Sequence, residues 1–260
     1  MKILRIAGLG IVSYIGIVIL AVVIAITIIF TYFPLQSFLF ARGEFLLFIS
    51  SELNMIPLFM IMILIIYALF RLKEKYFQKQ IEKIEDDDKP IEIENLTTYE
   101  KFFLGLLNKL TALDDKIMKI WKVIKICYIS VLIIAIYCGM TSYAILYNDS
   151  IRINSPIVPS GVIYKYSDIK SINVGVTKVN RNSYSPYYDI TFNNGQSVNL
   201  FGGTMQEGKD IGFEYILIDL DKNLKAQGVI KNVDKENFEK YSKGLDKDFV
   251  SRVEKLFDDK

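Results

Sequence analysis

The sequence predicts an α+β membrane protein: three transmembrane helices with a cytoplasmic amphipathic helical segment, then a small antiparallel β-sheet or barrel domain with C-terminal helices. Three observations carry this expectation. Uncharged apolar runs dominate the first half of the chain, a helix-periodic stripe fills the gap between the second and third of them, and the remainder alternates at strand spacing between turn residues. The expected organisation is a membrane domain over 1–147, a β-rich domain over 148–228 and a helical extension over 229–260. The spans fall at about 11–33, 50–70 and 126–147, with the cytoplasmic helical segment at 71–125.

Nothing charged occurs from Ile6 to Phe40, from Leu53 to Phe70, or from Ile126 to Tyr147. A helix rises about 1.5 Å per residue and the hydrocarbon core is about 30 Å thick, so about 20 such residues cross it. Lys2 and Arg5 precede the first run, but it is much longer than a signal-peptide core and no small-residue cleavage site closes it. It reads as a retained helix. Pro57 stands early in the second run, where a kink is expected.

Basic residues set the orientation. Arg71, Lys73, Lys75, Lys79 and Lys83 follow the second run, and Lys116, Lys119, Lys122 and Lys125 precede the third. The connection between the first two runs holds only Arg42, and the nearest cations after the third are Arg152 and Lys165. The expectation is a multi-pass cell-membrane protein with a cytoplasmic N-terminus and an extracytoplasmic C-terminal domain. Trp121, Tyr128, Tyr143 and Tyr147 suit the interfacial aromatic belts.

In the cytoplasmic segment, Thr97 and Glu100 form a capping-box signature. Tyr99, Phe102, Phe103, Leu106, Leu110, Leu113, Ile117, Ile120, Trp121 and Ile124 then share one face, opposite Lys101, Asp115, Lys119 and Lys122. Two placements suit this stripe: in the inner membrane interface, or packed as a hairpin against a helical extension of the second span over 72–84. The run from Glu85 to Glu94 lacks the alternating carboxylates and turn glycine of a calcium loop and reads as a solvated linker.

The 260 residues include no His, are 52% hydrophobic and carry a net charge of +2. Imidazole catalysis and His metal sites are excluded, and the balanced charge gives no electrostatic case for nucleic acid. Cys127 and Cys138 share a helix face about 16 Å apart, too far for a disulfide with each other. They read as small packing residues, with an intermolecular bridge or acylation of Cys127 as the alternative. Ala21 with Ala25 and Ala135 with Gly139 offer small-residue faces for packing or homo-oligomers. No acidic, basic or His residue lies inside the three apolar runs, which speaks against a pump or channel.

In the β-rich region, Ser160-Gly161 opens a strand over 162–166, and Ile172, Val174 and Val176 alternate at period two. A loop over 180–186 leads to a strand at 187–192, and Asn194-Gly195 is a hairpin signal returning through 197–201. Gly202-Gly203 ends the strands as a turn. Phe213, Leu217, Leu220 and Leu224 then share a helical face that stops at Gly228; the same run could instead make a sixth strand. Asp234 reads as an N-cap, and Phe249, Val250, Val253, Leu256 and Phe257 as a final amphipathic helix.

The run Tyr166-Ser167-Asp168-Ile169 entering the strand at Ile172–Val174, with Tyr188–Gln196 beyond it, resembles bacterial pleckstrin-homology-like domains. The resemblance covers about residues 150–226. It implies a fold of seven strands and one capping helix, of a kind fused to membrane helices in Gram-positive bacteria. By analogy with phosphoinositide-binding relatives, the loop with Lys178 and Arg181 becomes a candidate partner-binding loop. Tyr184, Tyr187 and Tyr188 around Pro186 extend it as an exposed aromatic surface.

No catalytic, cofactor-binding or metal-binding residue is expected, and the chain is not expected to be an enzyme. The expected role is a binding or scaffold module facing the bilayer and a protein partner or envelope component. Immunity to a membrane-active bacteriocin is the alternative that the resemblance motivates. A membrane-surface enzyme drawing on Asp189, Glu207, Asp210 or Glu214 is the remaining one, and no spacing singles out a pair of them.

Overall fold

The computed structural model describes residues 2–41, 43–85, 98–181, 183–205 and 212–258. The chain forms two compact units. One comprises Met1–Tyr32 and Met55–Ile136; the other comprises Phe33–Asn54 and Tyr137–Lys260. The chain is α+β, with three long helices and largely antiparallel sheets.

Among the described residues, three helical stretches are long and apolar enough to cross a membrane: Ile15–Phe40 in α1 (Lys2–Phe40), Glu52–Leu72, which runs through a short 3-10 turn into α2 (Met55–Glu85), and Val123–Thr141 in α3 (Thr98–Thr141). Their apolar side chains mostly face outward, as with Ile26, Ile63 and Ile133. Such surface suits lipid rather than water. Polar side chains in them turn back onto their own helix: Thr27, Thr31 and Ser130 each donate to the carbonyl four residues earlier. Pro57 lies in the first turn of α2, where no N–H is needed, so the expected kink has no cause. The proline inside a helix is Pro34 of α1.

In the first unit, α2 and α3 meet through aromatic rings. Tyr67 and Trp121 lie 4.4 Å apart, Trp121 and Tyr128 5.0 Å apart, and the Tyr128 hydroxyl donates to the Met60 carbonyl at 2.5 Å. The stripe read from the sequence therefore turns Trp121 toward α2. Its helix continues unbroken to Thr141. Thr97 and most of the acidic linker lie outside the described residues. A hollow of about 200 Å³ between α1 and α2 is lined by Ala25, Ile28, Leu58, Phe59 and Met62.

Among the described residues, the second unit holds nine strands in two sheets. Strands β1 (Leu47–Ser50), β2 (Tyr143–Leu146), β3 (Ser150–Asn154), β4 (Val162–Lys165) and β8 (Thr204–Met205) form a sheet ordered β4-β3-β2-β1-β8. Strands β5 (Ile169–Asn180), β6 (Ser183–Phe192), β7 (Ser197–Asn199) and β9 (Ile230–Val233) form the second, ordered β7-β6-β5-β9. Helices α4 (Phe213–Ala226), α5 (Phe238–Ser242) and α6 (Lys247–Glu254) complete the unit.

Strand β1 precedes α2 yet pairs antiparallel with β2, which follows α3; Leu47 stands opposite Leu146 and Ser50 opposite Tyr143. Alternation sends successive side chains to opposite faces. Leu47, Leu146 and Ile151 enter the main core, while Phe48, Tyr143 and Ile145 form a second cluster with Phe40 and Phe45. The expected third span to residue 147 is thus corrected: α3 ends at Thr141 and Tyr143–Leu146 is a buried strand. The carbonyls of its last turn are taken by side chains. Ser142 donates to Cys138, and Gln36 donates to Gly139 and Met140.

The main core joins Ile172, Val174 and Val176 of β5, Tyr188, Ile190 and Phe192 of β6, and Leu217, Leu220 and Leu224 of α4. Helix, not strand, is therefore the state of 213–226. Gly228 stops it at φ +79°, with the Val229 N–H returning to the Leu224 carbonyl. Gly195 turns the β6–β7 hairpin at φ +85°.

The separate extension over 229–260 is also corrected. Ile230–Val233 pairs parallel with β5, and Val253, Leu256 and Phe257 lie in the same core. Asp234 receives the Glu236 N–H in a turn ahead of α5, whose N-cap is Asn237. The side-chain cap in this region is Asp246, which accepts from Phe249 at the start of α6.

Candidate functional site

The sequence-predicted loop lies on the β5–β6 hairpin, whose ladder runs from Ile169 opposite Phe192 to Asn180 opposite Ser183. At its base β5 has partners on both sides. Strand β9 pairs with Ser171–Val174, and Asn237 donates to the Val176 carbonyl at 3.2 Å. Beyond Val176, among the described residues, β6 is its one strand partner. Four further residues at about 3.4 Å each extend this ribbon about 14 Å beyond Val176, with Tyr184 still packed against the core. Every residue from Thr177 to Arg181 is exposed, including Lys178, Val179 and Arg181.

The expected loop over 180–186 is corrected, because β6 begins at Ser183 and Pro186 pairs with Val176. Strand β7 pairs only with Asp189–Thr191, so at Pro186 strand β6 is an edge, where a missing N–H is tolerated.

The three tyrosines separate. Tyr184 stands opposite Lys178, is half-buried, and has the Lys240 ammonium 6.0 Å from its ring centre. Tyr187 stands opposite Gly175, and its ring fills the space of the missing side chain: a Cβ there would fall 2.2 Å from the Tyr187 hydroxyl. Burial, then Asp234 and Asp189, raise its phenol above the ordinary range.

Tyr188 is fully buried, which removes it from any exposed aromatic surface. Its hydroxyl donates to Asp221 Oδ1 at 3.0 Å, while the Lys231 ammonium donates to Oδ2 of the same carboxylate at 2.8 Å. Lys225 stands 3.2 Å from that oxygen. Burial, then the Asp221 charge, push the Tyr188 phenol far up. Burial also pushes the Lys231 ammonium down, against the pull of Asp221. This network ties β6, α4 and β9 together.

The remaining candidates take structural places. Asp168 accepts from the Lys165 N–H at 2.9 Å and turns the chain into β5. Glu214 is buried against the Arg252 guanidinium at 2.7 Å. Burial raises the Asp189 carboxyl. Glu207 and Asp210 lie outside the described residues. Among the described residues, no three acidic or Cys side chains gather as metal ligands would.

One further site was missed. An open polar cleft of about 590 Å³ is lined by Asn148, Asp149, Lys165, Ser167, Asn223 and Gln227. Its floor is ordered by the Tyr166 hydroxyl on the Tyr147 carbonyl at 2.5 Å and by Ser150 on Asp149 at 2.8 Å. Side-chain amides beside one carboxylate and one ammonium suit hydrogen bonding to a polar ligand. The turn before β3 and the last turn of α4 meet there, and no local sequence signal joins them. No family model matches this chain, and neither a curated protein nor a solved structure matches it significantly.

Proposed function

We propose that this chain is a non-enzymatic integral membrane protein displaying a pleckstrin-homology-like module for binding a protein partner or envelope component. The observation that carries the reading is the pairing of β1 with β2. Strand β1 lies before α2 and β2 after α3, so their pairing needs an even number of membrane crossings between them. Two crossings by α2 and α3 provide that number. With the basic residues on the inner flanks, the module is extracytoplasmic.

The antiparallel strands closed by α4 support the fold likeness, although eight described strands, β1–β8, precede that helix where the resemblance implies seven, and β1 comes from the connection between the first two spans. The distal β5–β6 ribbon is the binding element. Lys178 and Arg181 flank exposed Val179 there, a surface suited to an acidic partner.

The test is photo-crosslinking in intact cells from a benzophenone side chain at position 179, combined with protease accessibility of a C-terminal tag in protoplasts. A discrete adduct that disappears in Lys178→Glu/Arg181→Glu, together with tag cleavage before lysis, is expected. Adducts unchanged by the charge reversal would refute the ribbon as the binding element. A tag protected until lysis would refute the orientation.

A further inference from the structure

The connection between β3 and β4 exposes apolar surface that the fold does not use. Residues 153–164 carry no charge and lie between Arg152 and Lys165. The tip is Ser155-Pro156-Ile157-Val158-Pro159, in which Ile157 is 92% exposed. Val158, Val162 and Ile163 continue the exposure onto the edge strand β4. Single exposed apolar side chains are ordinary, but a contiguous set marks a contact surface.

The tip is also held rigid. The Ser155 N–H donates to the Val158 carbonyl at 3.3 Å, and the Val158 N–H to the Ser155 hydroxyl at 3.1 Å. Asn154 donates to the Pro159 carbonyl at 2.7 Å, and Arg152 to the Ser160 carbonyl at 2.6 Å. Gly161, at φ +75°, lets the chain pass where a Cβ would fall 2.6 Å from Asn154 Oδ1. Ile157 is therefore presented outward by a built loop.

A hydrogen bond fixes what the loop stands beside. The Tyr137 hydroxyl donates to the Pro156 carbonyl at 3.1 Å. Tyr137 lies one turn before the end of α3, inside the apolar stretch Val123–Thr141. At about 1.5 Å per residue, that is about 6 Å from the helix end. Where an apolar helix leaves a bilayer, this depth is the boundary between headgroups and acyl chains, where tyrosine is favoured.

We propose that the β3–β4 loop is a lipid-docking wedge. Pro156, Ile157 and Val158 enter the interfacial layer of the same bilayer, Tyr137 sets the depth, and the flanking Arg152 and Lys165 meet the headgroup phosphates. The inference rests on the reading that α3 crosses a membrane. The wedge gives the module a second attachment to the lipid surface besides its covalent tether to the helix.

The test uses the full chain with Cys127 and Cys138 replaced by alanine and a single cysteine introduced by Ile157→Cys, Ile133→Cys or Lys243→Cys. Each is labelled with the NBD fluorophore and reconstituted in phosphatidylcholine–phosphatidylglycerol vesicles containing lipid with a nitroxide near the top of the acyl chain. Quenching at 157 is expected to approach that at 133 and to exceed that at 243 several-fold. Quenching at 133 with 157 no greater than 243 would overturn the wedge while leaving the spanning helix intact. A blue-shifted label at 157 that lipid nitroxide does not quench would mean protein covers the tip, and would also overturn it. No quenching at 133 would overturn the spanning reading and the wedge with it.

Discussion

The side-chain nitrogen of Gln36, fully buried near the end of α1, lies 3.1 Å from the carbonyl oxygen of Gly139 in the last turn of α3. The same nitrogen reaches Met140, and its oxygen accepts from Ser50 at 2.8 Å and Asn54 at 3.1 Å. One amide thereby bonds two carbonyls at a helix end and two polar side chains beside β1. Gln36→Leu removes these four hydrogen bonds and should cost about 3 kcal/mol. The loss reads as a lower thermal midpoint by near-ultraviolet circular dichroism in detergent. An unchanged midpoint would show that other groups carry the junction.

Asp221 holds Tyr188 on one oxygen and Lys231 on the other, and the Lys231 side chain is 5% exposed. Removing one member of a buried ion pair leaves the other charged and unpaired, at about 3–5 kcal/mol. Asp221→Ala should lose that much, and adding Lys231→Met should restore part of it. Additive losses in the double variant would contradict the coupling.

The Tyr188 phenol has the alkaline consequence. Its folded pKa is raised above the ordinary 10.0, so the folded state keeps a proton that the unfolded state gives up. Its contribution to stability is complete below pH 10.0 and is lost as the pH rises above it. The decline amounts to at most about 1.4 kcal/mol per pH unit. Tyr188→Phe should flatten that slope, whatever offset the lost hydrogen bond adds at neutral pH. Equal slopes for the two proteins in denaturant titrations would refute the assignment.

The pairing of β1 with β2 has a covalent test. Ile49 and Ala144 stand opposite one another across the ladder, within the Cα separation a disulfide needs. With the native cysteines replaced, Ile49→Cys/Ala144→Cys should cross-link under mild oxidation of whole membranes. Protease cut between the second and third long helices should then release no separate fragments until reduction. Shifting one partner to Ile145→Cys should weaken the link, because that side chain faces the other way.

The three long helices were legible because uncharged runs of that length have few other uses. Strands β1 and β2 were not, since Leu47–Ser50 and Tyr143–Leu146 are short apolar runs flanking helices. Period cannot separate a strand buried on both faces from the end of a span. The distal half of β6 reads as loop because Ser183, Ser185 and Pro186 are turn-forming residues, although Tyr184 and Pro186 turn one face partly inward. Tyr188 could have been placed: it stands two residues before Ile190 and four before Phe192, on the face those residues bury. The role of β9 depends on a parallel pairing that leaves no local mark. The cleft at Asn148 and Gln227 joins positions far apart in the chain.

Because β1 is made before α2 and β2 after α3, the two strands cannot pair until both of those helices have been synthesised. The first strand must wait, edge open, until two long helices have been made and the C-terminal residues have emerged. A fragment beginning at Tyr143 would lack that strand and present β2 as a raw edge, ready to pair with another copy. Supplying residues 44–51 as a separate peptide should suppress that self-association. In this protein, assembly of the sheet therefore waits on both of the long helices that separate its first two strands.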